Sequence, residues 1–298
     1  MSTTHDGGAV ERETQRELGY AAYVLHNERV SLGLVPELGA KVISLRNLRT
    51  GREWMWHPAG ARRLFSNAVG DDFALSPLLG MDECLPTIAP CSFRGRNLPD
   101  HGEVWSVPWE LDEADWTHGC LTTRVCLPVS PFAFERRIRL RNNEVQFDYR
   151  LSNTGKRAEP FLWAMHPLLR LEASDHLILP ADIRKGLPGP EWAGPILAAV
   201  SPGSCAKLFL AASCLGTAAV RNPATGDSLQ FAWAPSQNGS LGIWLTRGGW
   251  HGHEHFAIEP TNGQPDALAE AIVRKQCGLV EPGSPVSWHV TLTVGDLR

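Results

Sequence analysis

The chain has 298 residues, and its 28 Lys and Arg against 32 Asp and Glu give a formal net charge of −4 with histidine neutral. This balance argues against a duplex nucleic-acid binder, which needs a basic face to displace counterions. Hydrophobic residues make up 43% and charged residues 20%, a composition that indicates a globular fold and excludes a disordered chain.

No segment of the sequence is expected to cross a membrane or to direct secretion. The most apolar stretch, residues 208–220, is shorter than the ~20 residues that a bilayer-spanning helix requires. Residues 1–12 are polar and lack an apolar secretory core. The cysteines are scattered without a Cys-x-x-Cys pair, so we expect reduced thiols in a cytoplasmic protein. They are Cys84, Cys91, Cys120, Cys126, Cys205, Cys214 and Cys277.

Alternation of apolar and polar residues predicts an antiparallel β-fold that follows an irregular segment at residues 1–18. Residues 19–298 are expected to form one domain, a sandwich of two sheets, because no repeat or linker-like break divides them. The one predicted helix is short, residues 266–274, with Asp266 as its cap. The predicted strands cover residues 30–34, 41–48, 54–56, 132–141, 144–151, 160–171, 207–212, 228–234, 240–246, 254–259 and 286–294.

The clearest predicted hairpin spans residues 132–151. Asn142 and Asn143 fit a two-residue turn with positive φ. Arginines and acidic residues on its polar face are expected to pair across the strands. Its apolar face consists of Phe132, Phe134, Ile138, Leu140, Val145, Phe147, Tyr149 and Leu151.

Residues suited to sugar binding concentrate in the irregular region 58–116. Carboxylates and imidazoles can bond to hydroxyl groups, and an indole can cover the apolar face of a pyranose. A solvated loop with Gly and Pro turns is the alternative. The residues concerned are Asp82, Glu83, Asp100, His101, Glu103 and Trp105.

A second candidate is His166, which lies in an otherwise apolar predicted strand. Leu162, Ala164 and Leu168 share its strand face. Pro167 next to it indicates a strand end or edge, where an imidazole can reach a cleft. A histidine with a purely structural role is the alternative.

A third candidate is the strand that leads to Glu259. On a regular strand, three imidazoles and this carboxylate lie on one face, the arrangement of a divalent metal site. The spacing resembles the first metal motif of cupins, but the second cupin motif is absent, so we assign no metal. The alternative is a polar strand that leads to one important carboxylate. The histidines are His251, His253 and His255.

Together these motifs resemble the aldose 1-epimerase (galactose mutarotase-like) family over residues 28–295. The motifs follow one another in the order seen in that family. They are the strand pair at residues 34–53, Asp82-Glu-Cys-Leu-Pro-Thr-Ile88, Asp100-His-Gly-Glu103, Trp163-Ala-Met-His-Pro167, Ala257-Ile-Glu-Pro260 and residues 266–283.

The resemblance implies an all-β fold, a large antiparallel β-supersandwich with few short helices, and the interconversion of α and β anomers of an aldose. By resemblance, His166 is the catalytic histidine and Glu259 the catalytic carboxylate, and they are expected to act on opposite sides of the sugar ring. His101 matches a second histidine that holds the substrate. The reaction needs a monosaccharide and no metal, nucleotide or redox cofactor.

Four further residues are predicted to bind the substrate: Arg52, Asp82, Glu83 and Trp105. Trp105 is expected to form a stacking wall beside His101. Asp82 or Glu83 is expected to supply a negative charge that keeps His166 protonated for part of the time.

Other functions stay open at this stage. One is a non-catalytic carbohydrate-binding protein on the same fold, since a fold does not determine function. Another is a metal-dependent β-sandwich enzyme that uses the three histidines before Glu259. The sugar itself also stays open, because Arg94 and Arg96 would suit a phosphorylated or sulfonated sugar unless they are ordinary surface arginines. The oligomeric state is not predicted.

Overall fold

In a computed structural model, residues 9–60, 63–211 and 216–295 of the protein are described. Strands are the predominant element, at 49% against 10% helix, and the strands of both large sheets pair antiparallel, so the predicted all-β fold is confirmed. Among the residues described, no helix is long and apolar enough to span a membrane.

The strands within the irregular region are short, and the two strands of the predicted hairpin are long. In chain order they are β1 (Glu11–Glu17), β2 (Tyr20–His26), β3 (Val30–Val35), β4 (Lys41–Asn47), β5 (Met81–Cys84), β6 (Cys91–Phe93), β7 (Arg96–Leu98), β8 (Glu110–Leu111), β9 (Leu121–Cys126), β10 (Phe132–Arg141), β11 (Glu144–Asn153), β12 (Glu159–Phe161), β13 (Ala164–Pro167), β14 (His176–Ile178), β15 (Cys205–Ala211), β16 (Gly216–Arg221), β17 (Ser228–Trp233), β18 (Ser240–Trp250), β19 (His253–Thr261), β20 (Gly278–Val280) and β21 (Val286–Gly295).

Two large sheets contain most of these strands. The first has nine strands in the order β1-β2-β3-β4-β5-β13-β19-β18-β15, and the second has eight in the order β14-β16-β17-β21-β11-β10-β9-β8. Side chains of both sheets bury one another in a shared hydrophobic core. The pairs β6–β7 and β12–β20 form two small sheets. The helices are α1 (Glu113–Thr117), α2 (Ala181–Arg184) and α3 (Leu268–Arg274), with 3₁₀ turns at Pro36–Leu38, Phe73–Leu75, Pro190–Ala193 and Ile196–Ala198.

The predicted hairpin is β10 and β11, which pair along their whole length. Its eight predicted apolar residues are all buried. Asn142 has the expected positive φ, 55°. On the polar face, Arg139 forms an ion pair with Asp148 at 2.6 Å. The two-residue period therefore fixes which face of this hairpin enters the core.

Two parts of the chain differ from the predicted elements. Residues 11–17 are not irregular, because they form β1 and pair in register with β2 at the edge of the first sheet. The predicted strand 160–171 is broken into β12 and β13, which belong to different sheets. The break occurs where the backbone N–H of Trp163 donates to the side chain of Asn262 instead of a neighbouring strand. That residues 19–298 form one domain stays a prediction.

The predicted helix begins two residues later than expected. Asp266 does not cap α3. The cap position is Ala267, and the backbone N–H of Leu268 donates to the hydroxyl of Thr87 at 3.1 Å. The side chain of Asp266 is consequently available elsewhere.

The cysteines in the described residues are free, in keeping with the predicted reduced thiols. Cys214 lies outside the described residues, as does the middle of the apolar stretch at 208–220.

Candidate active site

A cavity of about 320 Å³ opens on the outer face of the first sheet, at its β13, β19, β18 and β15 strands. Loops around Phe73, Ile88 and His101 close its other side. Alternation along the strands explains its floor, because Met165 and Ile258 enter the core while the next residue of each strand faces the cavity. The other lining residues are Asp72, Ala74, Ala89, Asp100, His166, Leu168, Lys207, Trp244, Trp250, His251, His255, Glu259 and Asp266.

His166 and Glu259 lie next to each other on the cavity floor. Ala164 pairs with Thr261, so two residues further along the antiparallel register His166 is opposite Glu259. Nε2 of His166 is 3.7 Å from Oε1 of Glu259, and both side chains are buried. Nδ1 of His166 and Oε1 of Glu259 have no hydrogen-bond partner. These buried polar atoms are therefore free to bond to a ligand.

The spacing of the two groups changes the expected orientation of a sugar. A distance of 3.7 Å is too short for a pyranose ring to lie between His166 and Glu259. They therefore cannot act on opposite sides of the ring, in contrast to the expectation from the sequence. Both instead face the same edge of any sugar in the cavity.

The charge state of His166 also differs from the expectation. Burial, with further contributions from His101, Lys207, His255 and Lys41, lowers the pKa of His166 well below its ordinary value. The imidazole is therefore uncharged at neutral pH in the empty cavity. Asp82 does not offset this effect, because its carboxylate is paired with the buried ammonium of Lys41.

Glu83 lies on the opposite face of β5 from Asp82 and enters the core. Its carboxylate accepts hydrogen bonds from Arg136, Tyr149 and Trp163 at 2.8–2.9 Å. It is fully buried and does not line the cavity. Adjacent strand residues point to opposite faces, so Asp82 and Glu83 cannot both reach one cleft from a regular strand. We correct the predicted substrate-binding role of Glu83 to a structural one, and Asp82 likewise does not line the cavity.

His101 enters the cavity from a loop and stands edge-on to His166, with ring centroids 4.9 Å apart. Its ring stacks on Phe73 at a centroid distance of 3.7 Å. The residue has φ of 57°, and the following Gly102 has no room for a side chain because a Cβ would lie 2.1 Å from the carbonyl oxygen of Leu85. The loop backbone thus directs the imidazole into the cavity, and the substrate-holding role of His101 stays a prediction.

Trp105 lies behind Phe73 and His101 and does not itself line the cavity. Its indole packs edge-on against Phe73, and its Nε1 donates to the carbonyl oxygen of Asp100 at 3.0 Å. It is buried and does not line the cavity. The predicted stacking role of Trp105 is corrected: it supports Phe73, which supports His101.

The predicted arginines lie outside the cavity. Arg52 forms a bidentate ion pair with buried Asp175, at 3.0 and 2.6 Å, and borders a separate groove of about 900 Å³. Its predicted substrate-binding role is therefore corrected. Arg94 and Arg96 both pair with Glu159, at 3.1 and 2.6 Å. None of the three offers a free guanidinium to an anionic sugar in the cavity.

The cavity residues that were not predicted as site residues include Lys207, Asp266, Trp244 and Trp250. The ammonium of Lys207 is hydrogen-bonded to Oε2 of Glu259 and lies 3.6 Å from Oδ1 of Asp266. Burial disfavours this ammonium, yet the carboxylates of Glu259 and Asp266 outweigh burial and raise the pKa of Lys207. A lysine at the start of an otherwise apolar strand was the available signal.

The histidines before Glu259 pack against indoles. Nε1 of Trp244 donates to Nε2 of His255 at 3.2 Å, and the ring of Trp250 contacts all three histidines. Burial and His253 lower the pKa of His255 to about 3. Within residues 9–60, 63–211 and 216–295, no group of three or more His, Cys, Asp or Glu side chains is placed to hold a metal ion.

The two large antiparallel sheets form a galactose mutarotase-like fold, as similarity to solved structures shows. Comparison with protein-family models and with curated proteins gives no match. Among solved structures, a Klebsiella pneumoniae protein with a provisional designation as an aldose 1-epimerase is 16% identical with a TM-score of 0.74, covering 96% of this chain and 83% of that one.

Two further structures agree with this fold. A galactose mutarotase-like protein from Clostridium acetobutylicum is 12% identical with a TM-score of 0.70, covering 97% of this chain and 99% of that one. A galactose mutarotase related enzyme from Lactobacillus acidophilus is 15% identical with a TM-score of 0.67, covering 93% and 99%. The resemblance drawn from the motifs is thus confirmed, and at these identities it shows the fold.

The aromatic wall of the cavity leads to a first prediction. We expect Trp250→Ala to weaken sugar binding about 3- to 10-fold, because an aromatic face contributes roughly 0.5–1.5 kcal/mol beyond its buried area. Fluorescence titration of the remaining tryptophans with sugar measures the effect. Trp250→Phe keeps an aromatic face and is expected to retain most of the affinity. Equal affinity in wild type and Trp250→Ala would exclude this wall from the binding site.

Proposed function

We propose that this protein is an aldose 1-epimerase that interconverts the α and β anomers of an aldose. The observation that supports the proposal best is the placement of His166 and Glu259 on the floor of a sugar-sized cavity, where Nε2 of His166 lies 3.7 Å from Oε1 of Glu259, an oxygen without a hydrogen-bond partner. The free cysteines agree with a cytoplasmic location, which is part of the same proposal.

Anomer exchange needs an acid and a base at one edge of the sugar. The proton of the O1 hydroxyl leaves while the ring oxygen O5 gains a proton, and the C1–O5 bond breaks to give an open aldehyde. Rotation about C1–C2 and reclosure complete the exchange. O1 and O5 are both bonded to C1, so two groups 3.7 Å apart suit them better than two groups across the ring.

The proposed roles follow from these positions. Oε1 of Glu259 accepts the O1 proton, and Nε2 of His166 donates a proton to O5. On reclosure the protonated carboxyl and the neutral imidazole reverse these roles, so no proton is gained or lost over a full cycle. His101, which stands edge-on to His166, bonds to the ring from beside His166, and Trp244 and Trp250 cover the apolar face of the ring.

The direct test is exchange spectroscopy by NMR on the α and β anomers of a panel of free, amino, deoxy and phosphorylated aldoses. Exchange above the spontaneous rate for at least one sugar would support the proposal and identify its substrate class. Folded protein that accelerates no sugar in a broad panel would overturn it.

The depressed pKa of His166 leads to a second prediction, on pH dependence. The acid form of His166 is a minor species at neutral pH, and its fraction grows as the pH falls. We therefore expect catalysed exchange to rise from pH 8 to pH 6, by up to about tenfold per pH unit while the protonated fraction stays small. Rates corrected for spontaneous exchange at each pH measure this. A catalysed rate that rises with pH would contradict the assigned roles.

The lowered pKa of His166 also favours one other candidate function, that of a carbohydrate-binding protein without catalysis. A neutral imidazole is a good hydrogen-bonding partner for hydroxyl groups and needs no proton to transfer. Sugar binding without accelerated exchange between pH 6 and pH 8 would favour this candidate over the epimerase.

A further inference from the structure

We infer that Lys207 and Gly242 are positioning residues for Glu259, which hold its carboxylate so that Oε1 alone faces the substrate. This inference rests on the proposed function and adds two residues to it. It depends on an ion pair between the partly buried Lys207 and the buried Glu259, and on a close approach between neighbouring strands.

Lys207 binds one of the two carboxylate oxygens. Its ammonium is hydrogen-bonded to Oε2 of Glu259, whereas Oε1 has no hydrogen-bond partner and faces His166. Glu259 is 1% exposed, so water does not compensate its charge. A buried carboxylate needs a partner of opposite charge, and Lys207 provides it. The two oxygens of Glu259 are therefore inequivalent before any sugar binds.

Gly242 provides the space in which the carboxylate lies. It is the partner of Glu259 in the β18–β19 register. A Cβ at residue 242 would lie 2.7 Å from Oε2 and 3.1 Å from Cβ of Glu259, which is closer than side-chain atoms approach. The φ of Gly242 is outside the left-handed region, so its backbone conformation does not require glycine. Glycine is thus needed at residue 242 because the side chain of Glu259 occupies the space that a Cβ would fill.

Other charged and titratable groups surround Glu259, and none replaces Lys207. Among the described residues, Lys207 is the one Lys or Arg side chain that lines the cavity. Lys41 is paired with Asp82, the register partner of His166. The other groups that face Glu259 are His166 from the adjacent strand β13, Cys84 from β5 on the far side of β13, His101 and Asp266 from loops, and His255 from its own strand.

Lys207→Met tests the ion pair. We expect kcat for anomer exchange to fall about 10- to 100-fold, with a smaller change in KM, because the base loses its orientation and its counter-charge. Lys207→Arg keeps the charge and is expected to restore much of kcat. Lys156→Met, at an exposed lysine that does not line the cavity, is the matched control. Gly242→Ala is expected to lower kcat through displacement of Oε2 while the ammonium remains.

A measurement without substrate separates this inference from the proposed function. The ¹³C chemical shift of the Glu259 carboxyl, assigned by loss of the signal in Glu259→Gln, can be measured without sugar. We expect this chemical shift to change in Lys207→Met, because Oε2 then loses its hydrogen bond from the ammonium. Lys156→Met should leave the chemical shift where it is in wild type.

The outcomes distinguish the two ideas. An unchanged Glu259 carboxyl chemical shift in Lys207→Met, or an unchanged kcat in an active protein, would overturn the role of Lys207. A changed chemical shift together with a wild-type protein that exchanges no sugar would support the positioning of Glu259 by Lys207 and overturn the epimerase.

Discussion

Glu259→Gln and His166→Ala are each expected to lower catalysed anomer exchange by about 10²- to 10⁴-fold, the usual contribution of a well-placed acid or base. The amide of Gln has the shape of the carboxylate but cannot take the O1 proton. Alanine at residue 166 removes the donor to O5. NMR exchange at saturating sugar measures both effects, and circular dichroism tests whether each variant remains folded.

The pair should behave as one unit. Because each proton transfer requires both groups, the double variant is expected to be little slower than either single variant. His251→Asn is the matched control on the rim of the cavity. His251 has φ of 47°, which Asn tolerates, so this change removes an imidazole without backbone strain. Near-normal exchange in both single variants would remove His166 and Glu259 from the mechanism.

His166 and Glu259, two predicted residues that line the cavity, lie on strands with a clear hydrophobic period, whereas His101 reaches the cavity from a loop. In β13 and β19 the core residues Met165 and Ile258 determine the buried face, so the polar residue beside each must face outward. The motif order then brings His166 and Glu259 together. Such placement requires only local alternation and the pairing of two strands.

The residues that the sequence missed depend on strand order and loop paths. Lys207 reaches Glu259 because β15 lies two strands away from β19 in the sheet, which the local pattern of β15 does not reveal. The sequence pattern indicates Asp266 as the cap of the helix. In the structure the hydroxyl of Thr87, far away in the chain, accepts the hydrogen bond from the first helical N–H, that of Leu268. Trp105 lies in the correct loop but on its inner side. Loop residues have no period from which their direction can be predicted.

Glu83 shows how the same β-strand that supports the site also stabilises the core. Its carboxylate and the guanidinium of Arg136 are both fully buried, 2.9 Å apart. Burial raises the pKa of Glu83, while Arg136 and the hydrogen bonds from Tyr149 and Trp163 act in the opposite direction. Glu83 is paired with Met165 of β13, one residue before His166. This network therefore holds β5 against the strand that carries the proposed acid.

Arg136→Met is expected to lower the free energy of unfolding by about 3–5 kcal/mol, because it leaves the Glu83 carboxylate buried without its cation. For a chain of this size the midpoint of thermal unfolding should fall by roughly 10 °C. Arg139→Met is the matched control on the same strand, since the Arg139–Asp148 pair is exposed and should contribute at most about 1 kcal/mol.

The double variant Glu83→Leu/Arg136→Met separates the cost of an unpaired charge from a loss of packing. It buries no charge at this position, although Tyr149 and Trp163 lose their acceptor. We expect it to be more stable than the sum of the two single variants predicts, because removing both members of a buried pair costs less than stranding one. Denaturant unfolding of the wild type, Glu83→Leu, Arg136→Met and the double variant completes this double-mutant cycle. A loss in Arg136→Met no larger than in Arg139→Met would show that the buried carboxylate finds its compensation elsewhere.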